Sequence, residues 1–251
     1  MSSVLIDEVR AYVAENIGTF HQKRLDNLEK LKLKQILKRK NPHLFKAKNI
    51  LTAQDFVKTI LDAHLSSQEE TLFGDFLGGL AIFINQRTFG GWKSAAEGID
   101  LEFDKDNVRF ITTIKSGPNW GNSGQISRMR DNFKRAARVL RTSNSRLNVR
   151  AINGCCYGKE PNPDKGDYQK LCGQGFWSFL SGDAELYTEL LEPLAYKAKE
   201  KNEYFQRQYA SVINKFCLTF LQDFCKDGAI DWDLLVRYNS SAATVSETDA
   251  S

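Results

Sequence analysis

Acidic and apolar residues alternate within the stretch 98–117, in a pattern that predicts the first strand of a β-hairpin. Asp100, Glu102 and Asp104 fall on one face of this strand, because successive side chains point to opposite faces. Carboxylates that share a strand face repel one another unless a cation lies between them. A divalent metal ion is the natural cation for such a cluster, so the sequence predicts a metal site on this face.

A lysine ends the second predicted strand of the hairpin. The polar residues 104–107 form the turn, and residues 108–115 then alternate so that Lys115 shares a face with Thr113. Asp100, followed fifteen residues later by Lys115, resembles the PD-(D/E)XK nuclease signature. In that signature an Asp and a second acid bind magnesium, and the Lys assists the attacking water.

Three further segments strengthen this resemblance, and together they are similar to type II restriction endonucleases over about residues 20 to 240. They are residues 115–123, 66–74 and 172–182. The resemblance implies an α/β fold with a restriction-endonuclease-like core, in which a mixed central sheet is flanked by helices, and with additional N- and C-terminal helices. The order strand, strand, helix, strand expected along residues 100–151 agrees with that core.

The resemblance also implies a magnesium (Mg2+) site. Asp100 is the expected metal ligand, the carbonyl of Ile114 is a further ligand by resemblance, and Lys115 positions or deprotonates the water. Thr113 stands where the second acid is expected, so that acid must come from elsewhere. The candidates, in order of preference, are Glu70 on a predicted helix, Glu102 on the acidic strand, and Asp131 on a basic helix. For Glu70 the structural alternative is compensation of the helix dipole.

Two basic segments predict contact with a polyanion. Residues 23–48 contain ten Lys or Arg against two acids, and residues 128–146 contain seven against one. Solvated helix faces are the structural alternative for both segments. Polar side chains after Lys115 are candidates for phosphate or base contacts, with helix capping as the alternative, above all for Ser123. The candidates for DNA binding are Ser116, Asn119, Asn122, Ser123, Gln125, Arg128, Lys134 and Arg135.

The function expected from these features is magnesium-dependent, site-specific cleavage of double-stranded DNA by phosphodiester hydrolysis. Resemblance implies a homodimer on a palindromic site and a cognate DNA methyltransferase that acts on the same site. The alternatives are a structure-specific or repair nuclease of the same fold, and a DNA-binding module without catalysis.

Composition places the chain among intracellular globular proteins. It has 251 residues, 41% of them hydrophobic, and a net charge of +4. The longest apolar run, 76–84, is too short to span a membrane, and the start carries no evident signal peptide, so we expect a cytoplasmic protein. Five cysteines in no repeated spacing predict free thiols; a zinc site at Cys155, Cys156 and Cys172 is the weaker alternative.

The elements that must position the site follow from periodicity and turn residues. The predicted domains are a basic helical segment at 1–64, a nuclease core at 65–182 with a specificity loop near 157–172, C-terminal helices at 183–238, and a disordered tail at 239–251. The predicted helices are 3–17, 27–40, 52–65, a further one from Ser66, 123–140, 174–180, one from Ala184, and 200–224, with a strand near 147–151.

Overall fold

The computed structural model describes residues 3–242. The described elements, in chain order, are α1 (Ser3–Glu29), α2 (Leu33–Leu37), α3 (Pro42–Ala47), α4 (Ala53–Phe89), β1 (Trp92–Lys93), β2 (Leu101–Lys105), β3 (Val108–Lys115), α5 (Ser123–Ser143), β4 (Asn148–Cys155), β5 (Gln169–Cys172), α6 (Gln174–Ser181), α7 (Leu186–Glu189), α8 (Leu191–Leu194), α9 (Ala198–Phe224), β6 (Cys225–Lys226), β7 (Ala229–Ile230) and α10 (Trp232–Ser240).

These elements form two compact units. The sheet unit takes the chain up to Phe20 and Glu70–Ala198, and the helical unit takes His21–Glu69 and the chain from Lys199. Both boundaries in the first half of the chain fall inside continuous helices, α1 and α4. The predicted domain limits, with a nuclease core at 65–182, stay a prediction.

A five-stranded mixed sheet is the centre of the sheet unit. Its strand order is β1-β2-β3-β4-β5, with antiparallel pairing from β1 to β3 and parallel pairing from β3 to β5. Parallel neighbours need a crossover, and α5 supplies it between β3 and β4. The predicted α/β fold with a mixed central sheet flanked by helices is confirmed.

The predicted hairpin is strands β2 and β3. Asp106 and Asn107 form its turn with φ of 51° and 61°, the left-handed conformation that a two-residue type I′ turn requires and that Asp and Asn tolerate. This turn pairs Asp104 with Arg109 and Leu101 with Thr112. Strand β3 is longer than β2 and continues past it to Lys115.

The two sheet faces bury different partners. Leu101 and Phe103 pack in one cluster with Ile84 of α4 and Phe176 of α6. Ile111 lies in a second cluster with side chains of α5. The predicted amphipathic helix at 123–140 is therefore confirmed as the cover of the second face. Burial on both faces holds the hairpin in one register, because a one-residue slip would exchange the faces.

Aromatic packing forms the core of the helical unit. Phe56 of α4 stacks on Phe220 of α9 with ring centroids 4.7 Å apart, and Phe216 and Phe224 complete the cluster. The predicted helix at 200–224 is confirmed as α9, and its buried side chains are Phe205, Phe216, Phe220 and Phe224.

Two predicted helix ends were wrong. Gly18 does not end the first helix, which continues to Glu29, and Ser66 does not begin a new helix, since α4 is continuous from Ala53 to Phe89. A glycine inside a helix costs about 1 kcal/mol, which the buried side chains on both sides of Gly18 offset.

The predicted single helix at 27–40 is also wrong. Helix α1 ends at Glu29 and α2 covers only Leu33–Leu37. Leu28 and Leu33 are both buried although residues five apart do not share a helix face, so the chain turns between them.

The predicted disordered tail begins too early. Asn239 and Ser240 belong to α10, and the Asn239 side chain donates hydrogen bonds to the carbonyls of Leu37 and Lys40. Most of the predicted tail, residues 243–251, lies outside the described residues. The predicted specificity loop contains β5, and its remaining part, 157–168, has no helix or strand.

Candidate active site

Asp100 lies where strand β2 begins and the longer strand β3 runs on. Its backbone N–H donates to the Thr112 carbonyl at 2.9 Å, and its carboxylate Oδ2 accepts from the Ile114 N–H at 2.7 Å. The carboxylate thus occupies the place that a further β2 residue would take in the ladder. The side chain is half-buried, and within residues 3–242 no other hydrogen bond to this carboxylate is formed.

The Ile114 carbonyl points to the same edge as the Asp100 carboxylate. The N–H and C=O of one strand residue face the same neighbouring strand, and the Ile114 N–H faces Asp100. Beyond Leu101 there is no β2 residue to bond that carbonyl. One carboxylate and one carbonyl oxygen therefore share an unpaired stretch of edge, and oxygen donors are what a hard divalent cation binds.

Lys115 is the last residue of β3 and lies two residues beyond Thr113 on the same strand face. The paired register of β2 with β3 ends at Leu101 opposite Thr112, and the Asp100 carboxylate reaches beyond it to the N–H of Ile114, the residue immediately before Lys115. The Lys115 carbonyl accepts from the Cys156 N–H at 2.9 Å, which ties the end of β3 to β4. In the part of the chain that is described, no carboxylate forms an ion pair with the Lys115 ammonium group.

Thr113, at the position where the signature has an acid, is buried among neutral groups. Its Oγ1 accepts from Asn153 Nδ2 at 3.1 Å and lies 3.7 Å from the Met129 sulfur. Both Thr113 and Asn153 are 1% exposed. Thr113 therefore serves packing between β3, β4 and α5.

Glu102, one of the three candidates for the missing acid, is engaged in a structural network. Its carboxylate accepts from Ser94 Oγ at 2.6 Å and lies 3.5 Å from the Arg109 guanidinium. Arg109 also holds Asp104. The cation that the acidic strand needs at these two positions is thus an arginine of the neighbouring strand.

Glu70 and Asp131 differ in their distance from the end of β3. A Cβ added at Gly74, one helical turn after Glu70, would lie 3.1 Å from the Ser116 Cβ, so α4 passes directly beside the residue that follows Lys115. Residues four apart share a helix face, which directs the exposed Glu70 towards the same region. Asp131 is exposed and lies two residues from the inward-facing Met129, on another face of α5.

Comparison with known protein families shows the family of the chain. A family model described as type II restriction endonuclease EcoO109I matches residues 7–202. The chain belongs to the EcoO109I family of type II restriction endonucleases. No curated protein matches the chain. Enzymes of this type use divalent metal ions. Among the described residues, no three His, Cys, Asp or Glu side chains come together as a metal-binding group.

In this EcoO109I-family endonuclease the loop of residues 116–122, which follows β3, leads into the N-terminus of α5. Asn122 Oδ1 accepts from the Gln125 N–H at 3.0 Å, and Gln125 Oε1 accepts from the Asn122 N–H at 2.9 Å. This reciprocal pair is a capping box, so the cap is Asn122 and not Ser123. Asn119 and Ser123 are exposed, and Ser116 is half-buried.

The basic residues of α5 divide into two groups. Arg128 and Arg135 both pair with Glu97, at 3.3 and 3.5 Å, on the exposed surface. The other group shares the lining of a cavity of about 490 Å³ over β3 and β4 and consists of Arg130, Lys134, Arg138 and Arg141. Within residues 3–242 no carboxylate pairs with the last three of these side chains.

The three cysteines of the sheet are buried free thiols. Cys155 of β4 lies directly opposite Cys172 of β5 in the sheet, and both are free thiols. Burial raises the pKa of Cys156 to about 12. Burial likewise raises the pKa of Cys155. Thiols with such pKa values stay protonated and unreactive near neutral pH.

Sequence reasoning missed Arg109, Trp120 and Asn153. Arg109 shares the strand face of Lys115, and that alternation was the signal for its pairing with the acidic strand. Trp120 and Asn153 come from separate segments that only the fold brings together.

No helix among residues 3–242 is long and apolar enough to cross a membrane.

Proposed function

We propose that this endonuclease cleaves double-stranded DNA at specific sites by magnesium-dependent phosphodiester hydrolysis, with a PD-(D/E)XK-type site built on Asp100 and Lys115. The observation that carries the proposal is the edge beyond β2, where the Asp100 carboxylate bonds the N–H of Ile114, the residue before Lys115, and the Ile114 carbonyl has no β2 partner. This donor set fits magnesium, because both atoms are oxygens and one is charged.

Magnesium, when bound, would neutralise charge on the scissile phosphate and assist the attacking water. Asp100 and the Ile114 carbonyl would hold it. The Lys115 ammonium group would donate hydrogen bonds to the attacking water and stabilise negative charge that develops on phosphorus. No carboxylate in the described residues neutralises this ammonium group, so its charge is available to a phosphate.

Glu70 is the acid that we propose completes the site. What supports it is its place on the turn of α4 that precedes the close contact between Gly74 and Ser116. Glu102 ranks below it, because its carboxylate already bonds Ser94 and Arg109. Asp131 ranks third, because it projects from a different face of α5 than Met129.

Phosphate contacts would come from the loop after Lys115 and from α5. Asn119, Ser123 and Lys134 have side chains exposed for this role. Arg128 and Arg135 pair with Glu97 but remain 76% and 60% exposed, so they stay available to phosphate. Ser116 is half-buried beside this loop, and Asn122 and Gln125 cap α5 while they remain solvent-exposed.

The proposed partners and location follow from the family. We propose that the enzyme is a homodimer that binds a palindromic site. We also propose that it is cytoplasmic and that a cognate methyltransferase protects the host DNA at the same site. A methylated target would then resist cleavage.

The test is digestion of a sequenced plasmid with the purified chain, with and without magnesium, followed by mapping of the ends. We expect metal-dependent cuts at one recurring sequence. Metal-dependent cuts without a common sequence would point to a structure-specific or repair nuclease. DNA binding without any cuts would leave a catalytically inactive module and would contradict the proposal.

A salt titration tests the interface on α5. Replacing Lys134, Arg138 and Arg141 by Ala should reduce the slope of log affinity against log salt by up to about three, since each phosphate contact contributes about 0.9. Replacing Arg128 and Arg135 is the matched control, where Glu97 already offsets part of the charge. Equal slopes for parent and both variants would assign all these charges to a solvated surface.

A further inference from the structure

The Lys115 ammonium group lies over an aromatic ring of the loop that follows it. Its Nζ is 5.0 Å from the centre of the Trp120 ring, within the distance of about 6 Å at which a cation is attracted to a ring face. The chain turns back after β3, so that Trp120, five residues further on, meets the side chain of Lys115. Trp120 itself is half-buried.

The Trp120 ring is held in turn by a buried amide. Its indole N–H donates to Asn153 Oδ1 at 3.2 Å, and Asn153 Nδ2 donates to Thr113 Oγ1 at 3.1 Å. Thr113 lies two residues before Lys115 on the same strand. The contacts therefore link Thr113 through Asn153 and Trp120 to Lys115, which lies two residues after Thr113 on β3.

We propose that Trp120 is a positioning residue that holds the Lys115 ammonium group in its reacting orientation, and that Thr113 anchors this arrangement through Asn153. The inference rests on the proposed function, because it assigns Lys115 to the site of hydrolysis. It also explains why a neutral residue stands at 113: the side chain there supports the Asn153 amide that orients the indole.

A lysine needs such support because its four-carbon stem is flexible and its charge is a point rather than a fork. An ion pair with a carboxylate would fix the stem but would also neutralise the charge. A ring face restrains the ammonium group and leaves its charge available to a phosphate. Misplacement of a reacting group by about 1 Å costs about 10²-fold in rate.

The experiment compares Trp120→Leu and Trp120→Phe with the parent enzyme. The readouts are kcat and KM for plasmid cleavage in magnesium, DNA affinity in calcium, and the melting temperature. Trp120→Leu should lower kcat by about 10²-fold while KM and DNA affinity stay within about twofold. Trp120→Phe should lower kcat by only about tenfold, since it keeps a ring face and loses the hydrogen bond to Asn153.

Trp92→Leu is the matched control. The Trp92 ring also lies against a cation, with Arg109 at 4.7 Å, but at the other end of the hairpin. Whereas Trp120 is half-buried, Trp92 is 40% exposed. Its replacement should leave kcat unchanged, whereas an equal loss in both Leu variants would assign the effect to general loosening of the sheet and would overturn the inference.

A double variant separates the positioning of Lys115 from other roles of Trp120. In a Lys115→Ala enzyme, adding Trp120→Phe should not change the residual cleavage further, because the ring then has nothing to position. Parental kcat in Trp120→Leu, or in Trp120→Phe if the Leu variant does not fold, would overturn the inference alone. Parental cleavage by Lys115→Ala itself would instead overturn the proposed function.

Discussion

The two ends of the β2–β3 hairpin carry the same kinds of side chain and use them in opposite ways. At the turn end, Asp104 and Glu102 share the guanidinium of Arg109, and Ser94 bonds Glu102. At the open end, the Asp100 carboxylate bonds only a backbone N–H among the described residues, and Lys115 lies over a ring. The turn end is closed by ion pairs, and the open end keeps its charges available.

The register explains this difference. Asp104 lies directly opposite Arg109, so their side chains meet across the strands. At the open end the paired register stops at Leu101 opposite Thr112, and Lys115 lies three residues beyond Thr112, past the end of β2. No β2 residue therefore lies opposite Lys115 to pair with its charge, as Asp104 pairs with Arg109.

The largest expected effect is at the open end. Asp100→Asn and Lys115→Ala should each lower the rate of plasmid cleavage in magnesium by at least about 10³-fold, because the first removes the charged magnesium ligand and the second removes the cation that stabilises charge on the scissile phosphate. Asp100→Asn should also weaken magnesium binding, measured by calorimetry. Both variants should melt near the parent and bind DNA in calcium. Parental rates in either variant would show that the open end is not the active site.

The second-largest effect on cleavage is expected from the acid that completes the open-end site. Glu70→Gln should lower cleavage by about 10²-fold or more, since a neutral isostere removes the charge and little volume. Glu102→Gln and Asp131→Asn are the matched controls, and cleavage rates of all three in magnesium give the ranking. Normal cutting by the Glu70 variant, together with loss in one control, would reverse that ranking.

The turn end should respond in stability rather than rate. Arg109→Met leaves the buried Glu102 carboxylate without its cation, and this should lower the free energy of unfolding by about 1–3 kcal/mol. Urea denaturation followed by circular dichroism measures the change. Cleavage of the folded variant should match the parent. A loss of cleavage without a loss of stability would mean that the two ends are not separate in function.

The smallest effect is a pH dependence at the turn end. Hydrogen bonding to Arg109 lowers the pKa of Asp104 below its usual value. The resulting stabilisation is present above the unfolded pKa of about 3.9 and is lost as pH falls through the lower folded pKa. The difference in melting temperature between parent and Arg109→Met should therefore shrink between pH 6 and pH 3. The Asp104 share stays below about 1 kcal/mol, because its side chain is 55% exposed.

The hairpin and the helix after it were predictable because their signals are local. Alternation defined β2 and β3, Asp106 and Asn107 suit the turn, and the apolar stripe of α5 marks its buried face. Helix boundaries were less predictable. Gly18 and the serines at 66 and 67 suggest ends, but burial on both sides of them stabilises long helices.

The sequence by itself determined the β2–β3 hairpin, because side chains of a strand alternate with a period of two and the turn is short, and it predicted a shared site for Asp100 and Lys115. It also determined the family, over residues 7–202. Only the tertiary structure decided which carboxylates are available: Glu102 is engaged by Ser94 and Arg109, while Asp100 lies at the ladder's end. It alone brought the Trp120 ring to Lys115 and the Asn153 amide to that ring. Such contacts join residues distant in the chain, and periodicity reports only on neighbours along it.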